Sequence, residues 1–99
     1  MVFFMVLKVL LFSASWCQPC KQVKPIVEEL AREYGLSYEE IDIDGQNGRL
    51  AIKYGVMSLP CVVFEKDGMV VDVVQGVKPR GFFQGIVERL GGRPQTFRP

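Results

Sequence analysis

Two cysteines three positions apart, Cys17 and Cys20, stand between an apolar run and an amphipathic pattern. The run ends at Phe12, and apolar residues then recur at helical spacing over residues 18–34. Both thiols therefore lie at the start of a predicted helix, where the partial positive charge of the helix end favours the thiolate. Two thiols at this spacing can close and reopen a small disulfide ring, so we expect thiol–disulfide exchange.

The apolar run from Met1 to Phe12 predicts a central strand covered on both faces. A targeting segment is the alternative, but Lys8 interrupts the run, no basic stretch precedes it and it is far too short to span a membrane. A close cysteine pair in a chain without a secretory signal is typical of a reducing cytosol. We therefore expect a cytoplasmic protein.

Length, charge and the cysteine count limit the class of protein. The 99 residues suffice for one domain with one core. A net charge of +1, with both signs scattered along the chain, argues against nucleic acid or an anionic membrane as the main partner. The chain has no His and no fourth Cys that could complete a tetrahedral metal site with Cys17, Cys20 and Cys61, and a site bridging two chains is the alternative. We therefore expect no metal.

The rest of the chain predicts alternating strands and helices. After the first strand and helix we expect a strand over Leu36–Asp44, a loop over 44–48, a helix over Arg49–Tyr54, a hairpin of Cys61–Glu65 and Met69–Val74, and a helix over Pro79–Leu90. This order indicates the α/β class, with a four-stranded mixed sheet and helices on both faces. We expect residues 1–92 to form the domain and residues 93–99 to form a loose tail. Phe82 and Phe83 are both expected in the core.

These residues resemble the thioredoxin family over about residues 6–91. The resemblance is carried, in chain order, by Trp16-Cys17-Gln18-Pro19-Cys20, Pro25 in the following helix, Leu59-Pro60 before a strand, Gly68 in the hairpin turn and Gly76 after the last strand. It implies a minimal thioredoxin fold (βαβαββα) that largely lacks the family's N-terminal strand and helix. It also implies a monomeric reductase of protein disulfides that needs no bound cofactor and is itself reduced by an enzyme such as thioredoxin reductase.

The resemblance assigns roles to the site residues. Cys17 would attack a substrate disulfide, and Cys20 would resolve the mixed disulfide. The alternative is that the two cysteines form a permanent structural disulfide or are thiols without a redox function. Cys17 is expected to be the more exposed of the two thiols. The substrate would dock on a mostly flat apolar surface beside it, which is formed by Trp16, Pro19, Leu59, Pro60, Gly76 and Val77. The bond before Pro60 is expected to be cis, with a plain trans proline as the alternative. The backbone of Leu59 would then pair with an extended substrate segment.

Four positions depart from the family's pattern. Gln18 replaces a glycine, and Leu11 lies where thioredoxins usually keep a buried aspartate that helps to deprotonate the resolving cysteine. Glu40 lies where they keep a buried lysine, and we consider it as a proton acceptor for Cys20; a solvated glutamate is the alternative. Cys61 replaces a threonine and is either a small buried core residue or a third redox thiol.

Two other functions stay open from the sequence. A glutaredoxin-like enzyme would use glutathione, but Gln18-Pro19 is not the glutaredoxin Pro-Tyr pair and no Gly-Gly-Asp pattern follows Gly76. A binding module in a larger assembly would use the same fold without needing its thiols. Replacing both cysteines by serine separates the module from the enzymes.

Overall fold

The computed structural model describes residues 6–44 and 47–95, which contain four strands and three helices. The elements are β1 (Leu7–Ser13), α1 (Gln18–Tyr34), β2 (Ser37–Asp42), α2 (Gly48–Lys53), β3 (Cys61–Lys66), β4 (Met69–Gln75) and α3 (Arg80–Arg89). The predicted order and type of these elements are confirmed. The start of the predicted first strand (1–5), the middle of the predicted loop (45–46) and the end of the predicted tail (96–99) lie outside the described residues.

The sheet has the strand order β2-β1-β3-β4. β1 runs parallel to β2 and antiparallel to β3, and β3 pairs with β4 as an antiparallel hairpin. The two central strands are covered on both faces, which explains why β1 is an almost continuous apolar run. The predicted four-stranded mixed sheet is therefore confirmed.

Helices cover both faces of this sheet. Successive residues of a strand point to opposite faces, so β1 contributes to two separate clusters. On one face, Val9 and Leu11 pack with Val23 and Val27 of α1 and with Phe83 of α3. On the other face, the segment around α2 covers a second cluster, which is formed by Leu10, Phe12, Ile41, Cys61 and Val63. Leu11 is thus fixed on the side that faces α1.

The prediction that both phenylalanines of α3 lie in the core is wrong for Phe82. Phe83 is fully buried, whereas Phe82 is 46% exposed. Neighbouring residues on a helix point about 100° apart, and the buried face of α3 is formed by Phe83, Ile86 and Val87, which places Phe82 at the edge of that face. The exposed ring of Phe82 instead packs nearly perpendicular to the ring of Phe83, with 6.0 Å between the ring centroids. Lys78 Nζ lies 5.5 Å from the centroid of the Phe82 ring.

Residues 93–95, the described part of the predicted tail, lie against the end of α1. The backbone N–H of Gln95 donates to the carbonyl of Glu33 at 2.6 Å. α1 ends at Gly35, whose φ of 67° belongs to the left-handed region that glycine adopts most readily. The domain boundary at residue 92 stays a prediction.

No helix within 6–44 and 47–95 is long and apolar enough to cross a membrane.

Candidate active site

Cys17 and Cys20 flank the first turn of α1 and are joined by a disulfide, with 5.4 Å between their Cα atoms. After β1, the N–H of Cys17 donates to the carbonyl of Ala14 at 3.1 Å, and this turn places Cys17 as the N-cap residue of α1. Its Sγ accepts a hydrogen bond from the backbone N–H of Cys20 at 3.2 Å. Pro19 lies in the first turn, where a helix needs no N–H donor. In the reduced protein, this N–H and the helix end stabilise a Cys17 thiolate.

The two cysteines border different cavities. Cys17 lines an open cleft of about 600 Å³, whose walls are largely apolar and include Trp16, Pro19, Ile43, Val56, Met57 and Leu59. Cys20 lines a separate pocket of about 180 Å³, whose walls are polar and include Ser13, Lys24, Glu40 and Asp42. In the disulfide form Cys17 and Cys20 are almost equally buried, at 4% and 3% exposed, so the prediction that Cys17 is the more exposed thiol of the reduced protein stays a prediction. What distinguishes them is the cavity that each one faces.

Three of the six predicted docking residues line the cleft: Trp16, Pro19 and Leu59. The peptide bond between Leu59 and Pro60 is cis, and Pro60 itself is buried. The N–H of Gly76 donates to the carbonyl of Pro60 at 2.8 Å, and neither of these two residues lines the cleft. Val77 follows Gly76 and is 46% exposed. The surface beside Cys17 is thus an open cleft, and the predicted docking role of these residues stays a prediction.

Asp44, which the sequence placed in a loop without a role, holds the Trp16 ring. Trp16 Nε1 donates to Asp44 Oδ1 at 3.1 Å, and the Ser15 hydroxyl donates to Oδ2 at 3.1 Å. The hydrogen bond from Trp16, followed by those from Ser15, lowers the pKa of Asp44, so the carboxylate stays charged. The available sequence signal was that parallel strands end at the same edge of a sheet, which brings the residues after β1 and β2 together.

Glu40 borders the same polar pocket as Cys20. The register pairs Glu40 with Leu11, so Glu40 also faces α1. Its Oε1 lies 2.9 Å from Lys24 Nζ, and its Oε2 accepts a hydrogen bond from Ser13 Oγ at 2.8 Å. Burial alone would raise the pKa of Glu40, but the hydrogen bonds from Lys24 and Ser13 outweigh burial and hold that pKa below its ordinary value. The pocket beside Cys20 therefore carries a charged carboxylate.

The third cysteine, Cys61, is fully buried and belongs to another cluster. It packs with Phe12 and Val63, whereas Cys17 and Cys20 pack with Ala14. Burial raises the pKa of the Cys61 thiol to about 11, which disfavours the reactive thiolate. In the part of the chain that the structure describes, no group of three or more His, Cys, Asp or Glu residues could hold a metal ion.

Comparison with known proteins finds thioredoxins. The thioredoxin family model matches residues 5–88. The chain is 45% identical over 80 residues to a thioredoxin of Bacillus subtilis, which covers 79% of this chain and 76% of that protein. The X-ray structure of Fasciola hepatica thioredoxin superposes with a TM-score of 0.76 and 38% identity, covering 85% of this chain and 80% of the other. A mutant thioredoxin from Halobacterium salinarum superposes with a TM-score of 0.79 and 31% identity, and the match covers 94% of this chain and 78% of the other.

Proposed function

This chain belongs to the thioredoxin family, and we propose how its two cysteines divide the disulfide exchange that this membership assigns to it. It is a protein thiol–disulfide oxidoreductase that acts through the dithiol of Cys17 and Cys20. The proposal rests on the two cavities, since Cys17 borders the open cleft and Cys20 the polar pocket. Cys17 is the nucleophile because a substrate disulfide reaches it through the cleft. Cys20 is the resolving cysteine.

The reaction oxidises the dithiol and reduces one substrate disulfide. The Cys17 thiolate attacks one substrate sulfur, an S–S bond forms between them, and the other substrate sulfur leaves as a thiolate. Cys20 then loses its proton and attacks Cys17 Sγ, which releases the second substrate thiolate. Two electrons pass to the substrate, and the two protons given up by the cysteines balance those that the substrate thiolates take up. The product is the Cys17–Cys20 disulfide.

The substrate docks along the cleft and its rim. We assign this surface to Trp16, Pro19, Leu59, Pro60, Gly76 and Val77, of which the first three line the cleft. Within residues 6–44 and 47–95, the backbone N–H and carbonyl of Leu59 make no hydrogen bond. These free groups support the pairing of Leu59 with an extended substrate segment, as in strand addition.

Glu40 accepts the proton of Cys20 through water in the pocket that both residues line. A pocket of about 180 Å³ with polar walls has room for water molecules. Lys24 and Ser13 keep the Glu40 carboxylate charged, so it is available to take up a proton transiently. Leu11 is fully buried and has no acidic group, so it cannot serve as the acceptor.

The oxidised protein must be reduced again after each turnover. We assign this step to an enzyme of the thioredoxin reductase type, and the reaction to a reducing compartment such as the cytoplasm, where a dithiol is maintained. We assign the working unit to a monomer, because the disulfide, the cleft beside Cys17 and the pocket beside Cys20 are all formed within a single chain.

Insulin reduction with two electron donors in parallel tests this function. We expect turnover with thioredoxin reductase and NADPH, little turnover with glutathione and its reductase, and only background turnover when Cys17 and Cys20 are both replaced by serine. Faster turnover with glutathione would refute the assigned donor. Insulin reduction that survives the loss of both cysteines would refute the proposed function as a whole.

A further inference from the structure

The Gln75 side chain, at the end of β4, binds the segment that precedes Pro60. Its Oε1 accepts hydrogen bonds from the backbone N–H of Met57 at 2.8 Å and of Ser58 at 2.7 Å. Its Nε2 donates to the backbone carbonyl of Gly55 at 3.2 Å. One half-buried amide therefore satisfies three backbone groups within a stretch of four residues.

Backbone pairing holds the far end of the same segment. Gln75 pairs with Cys61 across the β3–β4 hairpin, and the N–H of Gly76 donates to the carbonyl of Pro60 at 2.8 Å. Leu59 thus lies between the Gln75 amide on one side and the hairpin on the other. Its unpaired backbone groups are held in place by neighbours that are themselves hydrogen-bonded.

The segment that Gln75 binds is also a wall of the cleft beside Cys17. Val56, Met57 and Ser58 all line that cleft. Met57 is 88% exposed, so packing of its side chain cannot fix this wall. The hydrogen bonds to Gln75 therefore restrain Met57 and Ser58, because an exposed segment with few buried contacts opens readily. Val56 is also held by its own N–H, which donates to the carbonyl of Ala51 at 2.8 Å.

We propose that Gln75 is a positioning residue for disulfide exchange with protein substrates. It holds residues 55–58 where the cleft and the free backbone of Leu59 receive an extended chain. This inference rests on the proposed function and adds a specificity to it: a protein segment needs the ordered wall, whereas a small disulfide needs only the sulfur of Cys17. Ordering the wall in advance removes part of the entropy cost of binding a protein segment.

Gln75→Met tests the inference because it keeps the length of the side chain and removes both hydrogen-bonding ends. We expect kcat/KM for insulin to fall about tenfold, mainly because KM rises. A tenfold change corresponds to about 1.4 kcal/mol. For the small aromatic disulfide dithiobisnitrobenzoate, kcat/KM should stay within about twofold. Gln75→Glu keeps the acceptor for Met57 and Ser58, and we expect it to recover most of the insulin activity.

Gln84→Met is the matched control, because it also removes glutamine hydrogen bonds, to Tyr34 at 2.9 Å and Glu88 at 3.3 Å, but on α3. Its kcat/KM values for insulin and for dithiobisnitrobenzoate should both equal those of the wild type. Equal losses for both disulfides in Gln75→Met, or wild-type kinetics with insulin, would overturn the inference.

A second measurement covers the case in which Gln75→Met does not fold. In the wild type, the amides of Met57 and Ser58 should exchange with solvent more slowly than the unpaired amide of Leu59. Equal exchange at these positions would also overturn the inference. If the wild type itself fails to reduce insulin, the proposed function is what fails, and the two outcomes are distinguishable.

Discussion

Glu40→Gln removes the carboxylate beside Cys20 and leaves a side chain of the same length. The wild-type carboxylate accepts hydrogen bonds from Ser13 Oγ at 2.8 Å and Lys24 Nζ at 2.9 Å. A neutral amide can still accept one of these bonds through its oxygen, but it cannot take up a proton. The substitution therefore separates the chemistry of Glu40 from its place in the pocket.

The size of the effect follows from how the carboxylate is bound. A base in direct contact with its proton contributes typically about 100-fold or more. Here water carries the proton, and the ammonium of Lys24 offsets part of the negative charge. We therefore expect the resolving step to slow about tenfold, or about 1.4 kcal/mol.

Stopped-flow reduction of dithiobisnitrobenzoate resolves the two steps. The first aromatic thiolate leaves when Cys17 attacks, and the second leaves when Cys20 resolves the mixed disulfide. In Glu40→Gln the first phase should be unchanged and the second slowed. Because the pKa of Glu40 lies below its ordinary value of 4.5, the carboxylate is charged at neutral pH. The difference between the two proteins should thus persist from neutral pH downward and vanish as the pH falls through that lowered pKa.

Lys24→Met is the control, because it breaks the same ion pair but leaves the carboxylate in place. Its second phase should be as fast as that of the wild type or faster, since the charge that offsets the carboxylate is gone. The role assigned to Glu40 is refuted if the second phase of Glu40→Gln is unchanged at neutral pH. It is equally refuted if Lys24→Met slows that phase as much, because the loss would then come from the ion pair.

Three further predictions concern stability and the third thiol. Cys61→Ala should leave insulin turnover unchanged, and mild oxidation of the wild type should leave one thiol titratable after denaturation; loss of all three thiols would contradict this. Phe83→Ala should lower the free energy of unfolding by about 3–5 kcal/mol and Phe82→Ala by less than about 1 kcal/mol in denaturant melts, and similar losses would contradict their opposite burial. The hydrogen bond from the Tyr34 hydroxyl at 2.6 Å lowers the pKa of Glu88 in the folded protein. The stability that this bond contributes is therefore present above the pKa of Glu88 in the unfolded chain, and it is lost as the pH falls through the pKa of Glu88 in the folded protein. Melts below about pH 5 should therefore show a steeper loss for the wild type than for Glu88→Gln, and parallel curves would argue against this link.

The fold was predictable because its main determinants are local. The apolar run before Phe12, the helical spacing over residues 18–34 and the Asp67-Gly68 turn each favour one type of element over a short stretch. Phe82 and Phe83 were not separable in this way. Both fit an apolar stripe within the error of the pattern, and only the contact of α3 with the sheet decides which ring is buried.

Residue spacing alone predicted the site only where one stretch of chain carries the chemistry, whereas Leu59, Pro60 and Glu40 entered through the family resemblance. Cys17 and Cys20 lie in one turn, so their spacing alone indicates disulfide exchange. The hydrogen bonds of Asp44 to Trp16 and of Gln75 to Met57 join residues that are distant in sequence, and they depend on the strand order and the register. No local residue pattern marked Gln75, and for Asp44 the only signal was that parallel strands end at the same edge of a sheet.

Trapping the mixed disulfide tests most directly whether Cys17 is the nucleophile and Cys20 the resolving cysteine. Each single variant, Cys17→Ser and Cys20→Ser, is reduced, mixed with insulin and analysed by mass spectrometry under non-reducing conditions. We predict a stable covalent complex through Cys17 in Cys20→Ser, because the resolving thiol is missing, and no complex in Cys17→Ser. A complex through Cys20 in Cys17→Ser, or equal trapping by both variants, would contradict the assignment of Cys17 to the substrate cleft and Cys20 to the polar pocket.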